Sequence, residues 1–271
     1  MKKQLIIIGI NLVLFAVVFT GCTEQNPYKN FDKRLINTEF LGGKYNLSIL
    51  YLKNYYDGTW ADWTQINYTK NGNKYIGVYA PFMREALDWI KTNTSENCSV
   101  LCWWDYGHMV EGFAERNAIA TSPSISLEWS MAGYQSMDEE HRQKMIEEVG
   151  GWSTNETHED IAAVLTTNDF QSNETQDIIE KYNVSYILTR SYDKYLYDIF
   201  FKTAGKDTDL YVANQDGYEL TLTEKGEQTL IFQLWKDNYM IPGLELVYNY
   251  VSTDISSNNI SNVRIFKVST S

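Results

Sequence analysis

Histidine, cysteine and positive charge are all scarce in this 271-residue chain, and each shortage removes a class of function. The 3 histidines, His108, His141 and His158, fall in no metal-ligand spacing, so solvated or capping positions suit them better than coordination. No Ser/His/Asp arrangement can be assembled, and the glycine pairs follow no phosphate-loop pattern. Nucleophilic hydrolysis and nucleotide binding therefore lack a motif. A formal net charge of −12 denies nucleic acid the basic stripe it needs and repels anionic headgroups. Past Cys22 no apolar run approaches the roughly 18 residues of a membrane span. Beyond Cys22 the only cysteines are Cys98 and Cys102. On one strand they would stand about 13 Å apart at about 3.3 Å per residue, out of disulfide reach, whereas a helix would bring them closer. Asp138-Glu139-Glu140 and Glu147-Glu148 read as the solvated face and ends of a helix.

What is present begins at the N-terminus. Met1-Lys2-Lys3 supplies a positive start, and Leu5 to Thr20 an apolar stretch of about 16 residues, the pattern of an export signal. It stops at Phe19-Thr20-Gly21-Cys22, where small residues before a cysteine suit lipoprotein processing, with Cys22 as the lipid attachment residue. Phe19 stands where Leu is usual. The alternative is an uncleaved N-terminal span. Either reading places residues 23–271 on the extracellular face of the cytoplasmic membrane. Asn-x-Ser/Thr sequons occur at Asn46, Asn67, Asn93, Asn97, Asn155, Asn173, Asn183 and Asn259. Chance at this composition gives about three, so the excess fits a surface glycoprotein. A polar surface rich in Asn and Thr is the plainer alternative.

Residues 23–79 show no sustained period and read as an irregular extension with one or two short strands such as Leu47 to Leu52, and function is expected elsewhere. Regularity starts at Pro81, followed by Met83, Leu87 and Ile90 on one face of a helix ending near Thr92. Ser99 to Trp103 reads as a buried strand that Asp105-Tyr106-Gly107 ends. Further helices are expected over Met137 to Val149, from Thr157 through Leu165, over Thr175 to Tyr182, and near Gln228 to Lys236. Strands are expected over Val184 to Thr189, Tyr218 to Thr223, Leu244 to Tyr250 and Val263 to Val268. The fold class is mixed α/β (α+β), with helices around a small sheet and strands concentrated in the C-terminal part. The organisation expected is a signal over 1–22, the extension over 23–79 and one domain over 80–271.

Trp103-Trp104-Asp105-Tyr106-Gly107 carries the chemistry. Two indole N–H donors and a carboxylate acceptor at one turn suit a hydroxyl, which donates and accepts, and indole faces exclude water. Ordinary core aromatics beside a turn-capping acid are the bland alternative. The whole pentapeptide resembles the Trp-Trp-Asp-Tyr-Gly signature of the catalytic subunit of oligosaccharyltransferases, archaeal type, which move a lipid-linked glycan onto Asn in Asn-x-Ser/Thr. The flanks also look like that family: Glu115-Arg116-Asn117 after the signature, then Ile179 to Leu188, Leu244 to Tyr248 and Val263 to Val268.

The resemblance implies that Trp103, Trp104 and Asp105 hydrogen-bond the Ser or Thr hydroxyl of the acceptor, while Tyr106 and Gly107 shape the turn presenting them. A second family motif, Asp-x-x-Lys followed by Met or Ile, should complete the pocket. Asp193, Lys194, Asp198, Ile199 and Lys202 lie in the right region, but no pair has the three-residue offset. No catalytic residue and no cofactor is assigned to this chain, because the family's divalent metal and glycan donor are held by a multi-spanning membrane domain. The expected function is a membrane-tethered acceptor reader, related to the transferase but inactive alone. Its expected partners are polypeptides with Asn-x-Ser/Thr, the membrane surface through its anchor, and a multi-pass oligosaccharyltransferase. Alternatives are the soluble subunit of a split transferase and an envelope glycoprotein that has lost ligand binding.

Overall fold

A computed structural model describes residues 48–52, 63–70, 72–122, 153–206, 210–213, 220–237, 240–251 and 262–269. The chain forms two compact units that interleave along the sequence. Residues up to Pro81, Trp104–Phe113 and Thr121–Asn155 make the first, and Phe82–Trp103, Ala114–Ala120 and Glu156–Ser271 make the second. Cys22 and the expected helix over Met137 to Val149 lie outside the described residues, as do His141 and the sequons at Asn46 and Asn259.

In the first unit β1 (Ser48–Leu52), β2 (Trp63–Lys70) and β3 (Asn73–Tyr79) form an antiparallel sheet in that order. The hairpin closes at Lys70↔Asn73 around Gly72, whose φ of 83° is open to glycine. Alternation buries Ile66 and Tyr68 of β2 and Tyr79 of β3. Helix α1 (Trp104–Gly112) packs on β2 and β3. Two glycines allow that approach. A Cβ on Gly77 would stand 2.4 Å from His108 Cβ, and one on Gly112 would stand 2.6 Å from Tyr68 Cδ1. The segment expected to be irregular thus contains a regular sheet. Tyr68 and Tyr79 fill inward positions, where tyrosine marks the period less clearly than an aliphatic residue.

The second unit is built on a five-stranded sheet. It runs β5 (Asn117–Ala118), β4 (Ser99–Leu101), β6 (Val184–Arg190), β10 (Val263–Val268) and β9 (Leu244–Tyr250). Strand β4 pairs parallel with β5 and β6, and β10 pairs antiparallel with β6 and β9. Helix α2 (Arg84–Asn93) follows a 3-10 turn at Pro81–Met83 and buries Ala86, Leu87 and Ile90, the spacing of one helical face. Its Trp89 meets Tyr186 and Tyr248 of the sheet. Helix α3 (Asn155–Leu165) buries Ile161, Ala162, Val164 and Leu165. Helix α4 (Asn173–Lys181) starts at Ser172, whose hydroxyl accepts from Thr175 N–H at 3.3 Å. After β6 a 3-10 turn (Ser191–Leu196) leads into α5 (Tyr197–Thr203). A short hairpin of β7 (Tyr211–Ala213) and β8 (Leu220–Leu222) and the single-turn helices α6 (Glu224–Glu227) and α7 (Leu230–Gln233) precede β9.

The fold is the mixed α+β arrangement expected, with a five-stranded sheet whose three longest strands fall late in the chain. Helix α3 begins at Asn155 rather than Thr157, and the expected helix near Gln228 to Lys236 shortens to α7. Cys98 and Cys102 are both buried thiols outside any disulfide.

Candidate functional site

The boundary between the two units falls inside the pentapeptide. Trp103 belongs to the second unit, and Trp104, Asp105, Tyr106 and Gly107 belong to the first. Strand β4 ends at Leu101, and α1 starts at Trp104, so the expected turn is the first turn of a helix. Successive residues there are rotated by about 100°, and the pentapeptide does not present its side chains in strand alternation.

In the second unit Trp103 is 2% exposed and sits edge-on to Phe200 of α5 at 4.7 Å and to His158 of α3 at 5.6 Å. His158 is fully buried, not the solvated or capping group expected, and its ring packs against Trp103. In the first unit Trp104 is 9% exposed, Asp105 is half-buried, and Tyr106 and Gly107 are buried. Asp105 lies in the first turn of α1, where the positive end of the helix dipole favours a carboxylate.

The candidate second-motif residues divide between two elements, Asp193 and Lys194 in the turn after β6 and Asp198, Ile199 and Lys202 on α5. Asp193 is 2% exposed and accepts hydrogen bonds from Thr189 Oγ1 at 3.0 Å and Arg190 N–H at 2.8 Å. Thr189 Oγ1 in turn accepts from Trp235 Nε1 at 3.3 Å. Asp193 therefore ties the end of β6 to the following turn. Lys194 is half-buried beside it. On α5, Phe200 is the residue that meets Trp103. Asp198 and Lys202, each two residues away from it, are rotated by about 200° and point elsewhere, while Ile199 is offset by about 100°. Lys202 is exposed and lines an open groove of about 700 Å³ with Glu159, Asp160, Glu174, Asp177 and Lys181. There Lys181 bridges Glu156 at 2.5 Å and Asp160 at 2.7 Å, and those hydrogen bonds raise its pKa.

Sequence reasoning missed three groups. Phe200 was hidden in an aromatic-rich run. Arg116, quoted only as part of a matching flank, is a buried guanidinium that donates to Thr94 Oγ1 and to the carbonyls of Ala114, Glu115, Lys91 and Thr94. It closes the C-terminal end of α2, where a cation complements the helix dipole. The third is a polar cluster under α1, made by Tyr68, Lys70, His108 and Glu111. Its one sequence signal was the close spacing of His108, Glu111 and Gly112 on one helical face.

Among the described residues no group of three or more His, Cys, Asp or Glu side chains is placed to hold a metal, and no helix is long and apolar enough to cross a membrane.

No protein-family model matches the chain. Short stretches are similar to curated proteins. One is 41% identical over 49 residues to dolichyl-phosphooligosaccharide-protein glycotransferase 2 of Pyrococcus horikoshii, covering 18% of this chain and 6% of that protein. Another is 52% identical over 33 residues to the dolichyl-phosphooligosaccharide-protein glycotransferase of Methanocaldococcus jannaschii, covering 12% of this chain and 4% of that protein. The matched stretches thus span well under a tenth of those relatives. Among solved structures, the C-terminal globular domain of an oligosaccharyltransferase from Archaeoglobus fulgidus aligns at 18% identity with a TM-score of 0.43, covering 70% of this chain and 99% of that one. The sequence similarity of this chain to dolichyl-linked glycotransferases is thus confined to short stretches.

Proposed function

We propose that this chain is an acceptor reader: an oligosaccharyltransferase-like domain that recognises the Ser or Thr of Asn-x-Ser/Thr segments. The observation that carries the reading is the unbroken run Trp103 to Gly107, together with the sequence identity of short stretches to dolichyl-linked glycan transferases. The placement of Trp104 and Asp105 in the first turn of α1 supports it, since an indole N–H donor and a carboxylate acceptor are held on adjacent positions. The reading assigns recognition to this chain and leaves glycan transfer to a multi-pass partner. Tethering through Cys22 or an uncleaved N-terminal segment, on the outer face of the membrane, belongs to the same proposal; the mass of the mature N-terminal peptide tests it.

Calorimetric titration with a peptide containing Asn-x-Thr and with its Thr→Ala counterpart tests recognition directly. The Thr peptide should bind at least about tenfold more tightly, the value of one lost hydrogen bond to a buried charged group. Equal binding, or none to either, sinks the reading. A second reading, an envelope glycoprotein without ligand binding, is favoured by the structural engagement of Asp193 and the rotation of Asp198 and Lys202 away from Phe200. It expects equal binding.

A further inference from the structure

Helix α1 bears Trp104 and Asp105 in its first turn and is held in its second and third by a side-chain network from the β2–β3 hairpin. Trp104 and His108 are four residues apart, and Glu111 is three further on, so all three follow one stripe of the helix. Opposite them, Tyr68 and Lys70 alternate inward along β2. The Tyr68 hydroxyl lies 3.0 Å from His108 Nδ1 and 3.3 Å from Glu111 Oε2, and Lys70 Nζ lies 2.7 Å from Glu111 Oε1. The ring of Tyr68 is buried, stacks on Tyr75 at 5.2 Å, and occupies the space a side chain at Gly112 would need.

The protons in this cluster can be assigned by counting donors. A phenol has one proton. If Tyr68 gave it to His108, the phenol oxygen and the Glu111 carboxylate would face each other with lone pairs only. If Tyr68 donates to Glu111 and His108 donates from Nδ1 to the phenol oxygen, every contact has one donor and one acceptor. Burial, which lowers the His108 pKa from 6.5 to about 4, keeps the imidazole neutral and able to fill that role with Nε2 bare. Lys70 balances the carboxylate. The chain of donation runs from His108 to Tyr68 to Glu111, with Lys70 closing it.

We propose that Tyr68, His108, Glu111 and Lys70 are positioning residues of the acceptor site, setting the pose of the helix that carries Trp104 and Asp105 and making the β2–β3 hairpin part of the reader. This rests on the acceptor-reading function proposed above. The test is nitrogen-15 NMR of the full chain with peptide titration, comparing the native protein, Tyr68→Phe and Glu111→Gln. The native spectrum should show His108 protonated on Nδ1. Tyr68→Phe should abolish that signature, shift the Trp104 indole resonance and weaken the Asn-x-Thr peptide about tenfold. Glu111→Gln keeps an acceptor oxygen for Tyr68 but removes the charge that Lys70 balances, so it should retain the His108 signature and weaken the peptide by less than Tyr68→Phe does. It also serves if Tyr68→Phe fails to fold. An Nε2-protonated His108, or an unmoved Trp104 resonance in Tyr68→Phe, overturns the positioning role. So does a Tyr68→Phe protein that separates Thr from Ala peptides as well as the native protein does. If the native protein separates neither peptide, the acceptor reading fails, and the His108 and Trp104 signals alone decide whether the network sets the helix pose.

Discussion

Each unit buries charge, and the two do so by different means. In the second unit Arg116, 7% exposed, spends its donors on four backbone carbonyls and one hydroxyl. In the first, Lys70, Glu111, Tyr68 and His108 satisfy one another through side chains alone. A guanidinium held by carbonyls is welded to the chain path, because those acceptors cannot turn away without unwinding the end of α2. A network of side chains leaves the backbone hydrogen-bonded when one member changes. Its cost is local, and its effect is on the pose and protonation of neighbours. The first device supports the fold; the second is suited to tuning a site.

The largest expected effect lies on the Arg116 side. Arg116→Met keeps volume but strands the Lys91 and Thr94 carbonyls, and should cost about 3–4 kcal/mol of unfolding free energy, read from urea denaturation. A cost under about 1 kcal/mol would erase the contrast between the two devices.

Next comes the pH response of the first unit. The folded pKa of His108 is lowered by burial from 6.5 to about 4, so the unfolded chain binds a proton between those values that the folded chain does not. Stability is therefore complete above 6.5 and falls as pH drops toward about 4. The shift sets a ceiling of about 3 kcal/mol, and roughly 2 kcal/mol remain once the solvent-reaching part of the ring is allowed for. Urea midpoints at about pH 7 and about pH 4.5, taken as native minus His108→Asn, measure it. Identical pH slopes for both proteins would show that His108 is not buried as a neutral group.

The smallest effect is expected where charge is paired in the open. Lys181 bridges Glu156 and Asp160 on the rim of the groove, and solvent screens both contacts. Lys181→Ala should leave the melting temperature unchanged by calorimetry. A clear drop would mean that exposed pairs here act like the buried ones.

The strands of the second unit were legible because their periods are clean. Leu244–Tyr250 and Val263–Val268 fall where alternation and β-branched residues placed them, and Pro81 announced the turn leading into α2. The β2–β3 hairpin was not, although Asn71-Gly72-Asn73 has the composition of a hairpin turn. Its inward residues are Ile66, Tyr68 and Tyr79, and tyrosine counts as neither clearly apolar nor clearly polar in a chain that has 20 of them. At the candidate site the pentapeptide was visible as letters, but its conformation was not. A run of aromatic residues reads as strand, yet α1 starts at Trp104 because the face formed by Tyr106, Met109 and Val110 buries as a helix.

Composition, charge, the sequons and the Trp-Trp-Asp-Tyr-Gly run are properties of the covalent chain, and no fold was needed to establish them. Local periodicity added most of the helices and strands, since amphipathic patterning acts within a few residues. Only the tertiary structure decided that Trp103 packs on Phe200 and His158 while Trp104 opens a helix, that Asp193 ties a turn, and that Tyr68 meets His108 forty residues away. Those outcomes depend on which buried surfaces meet and on pairing each polar group enclosed between them, a condition set across the whole unit rather than along the chain.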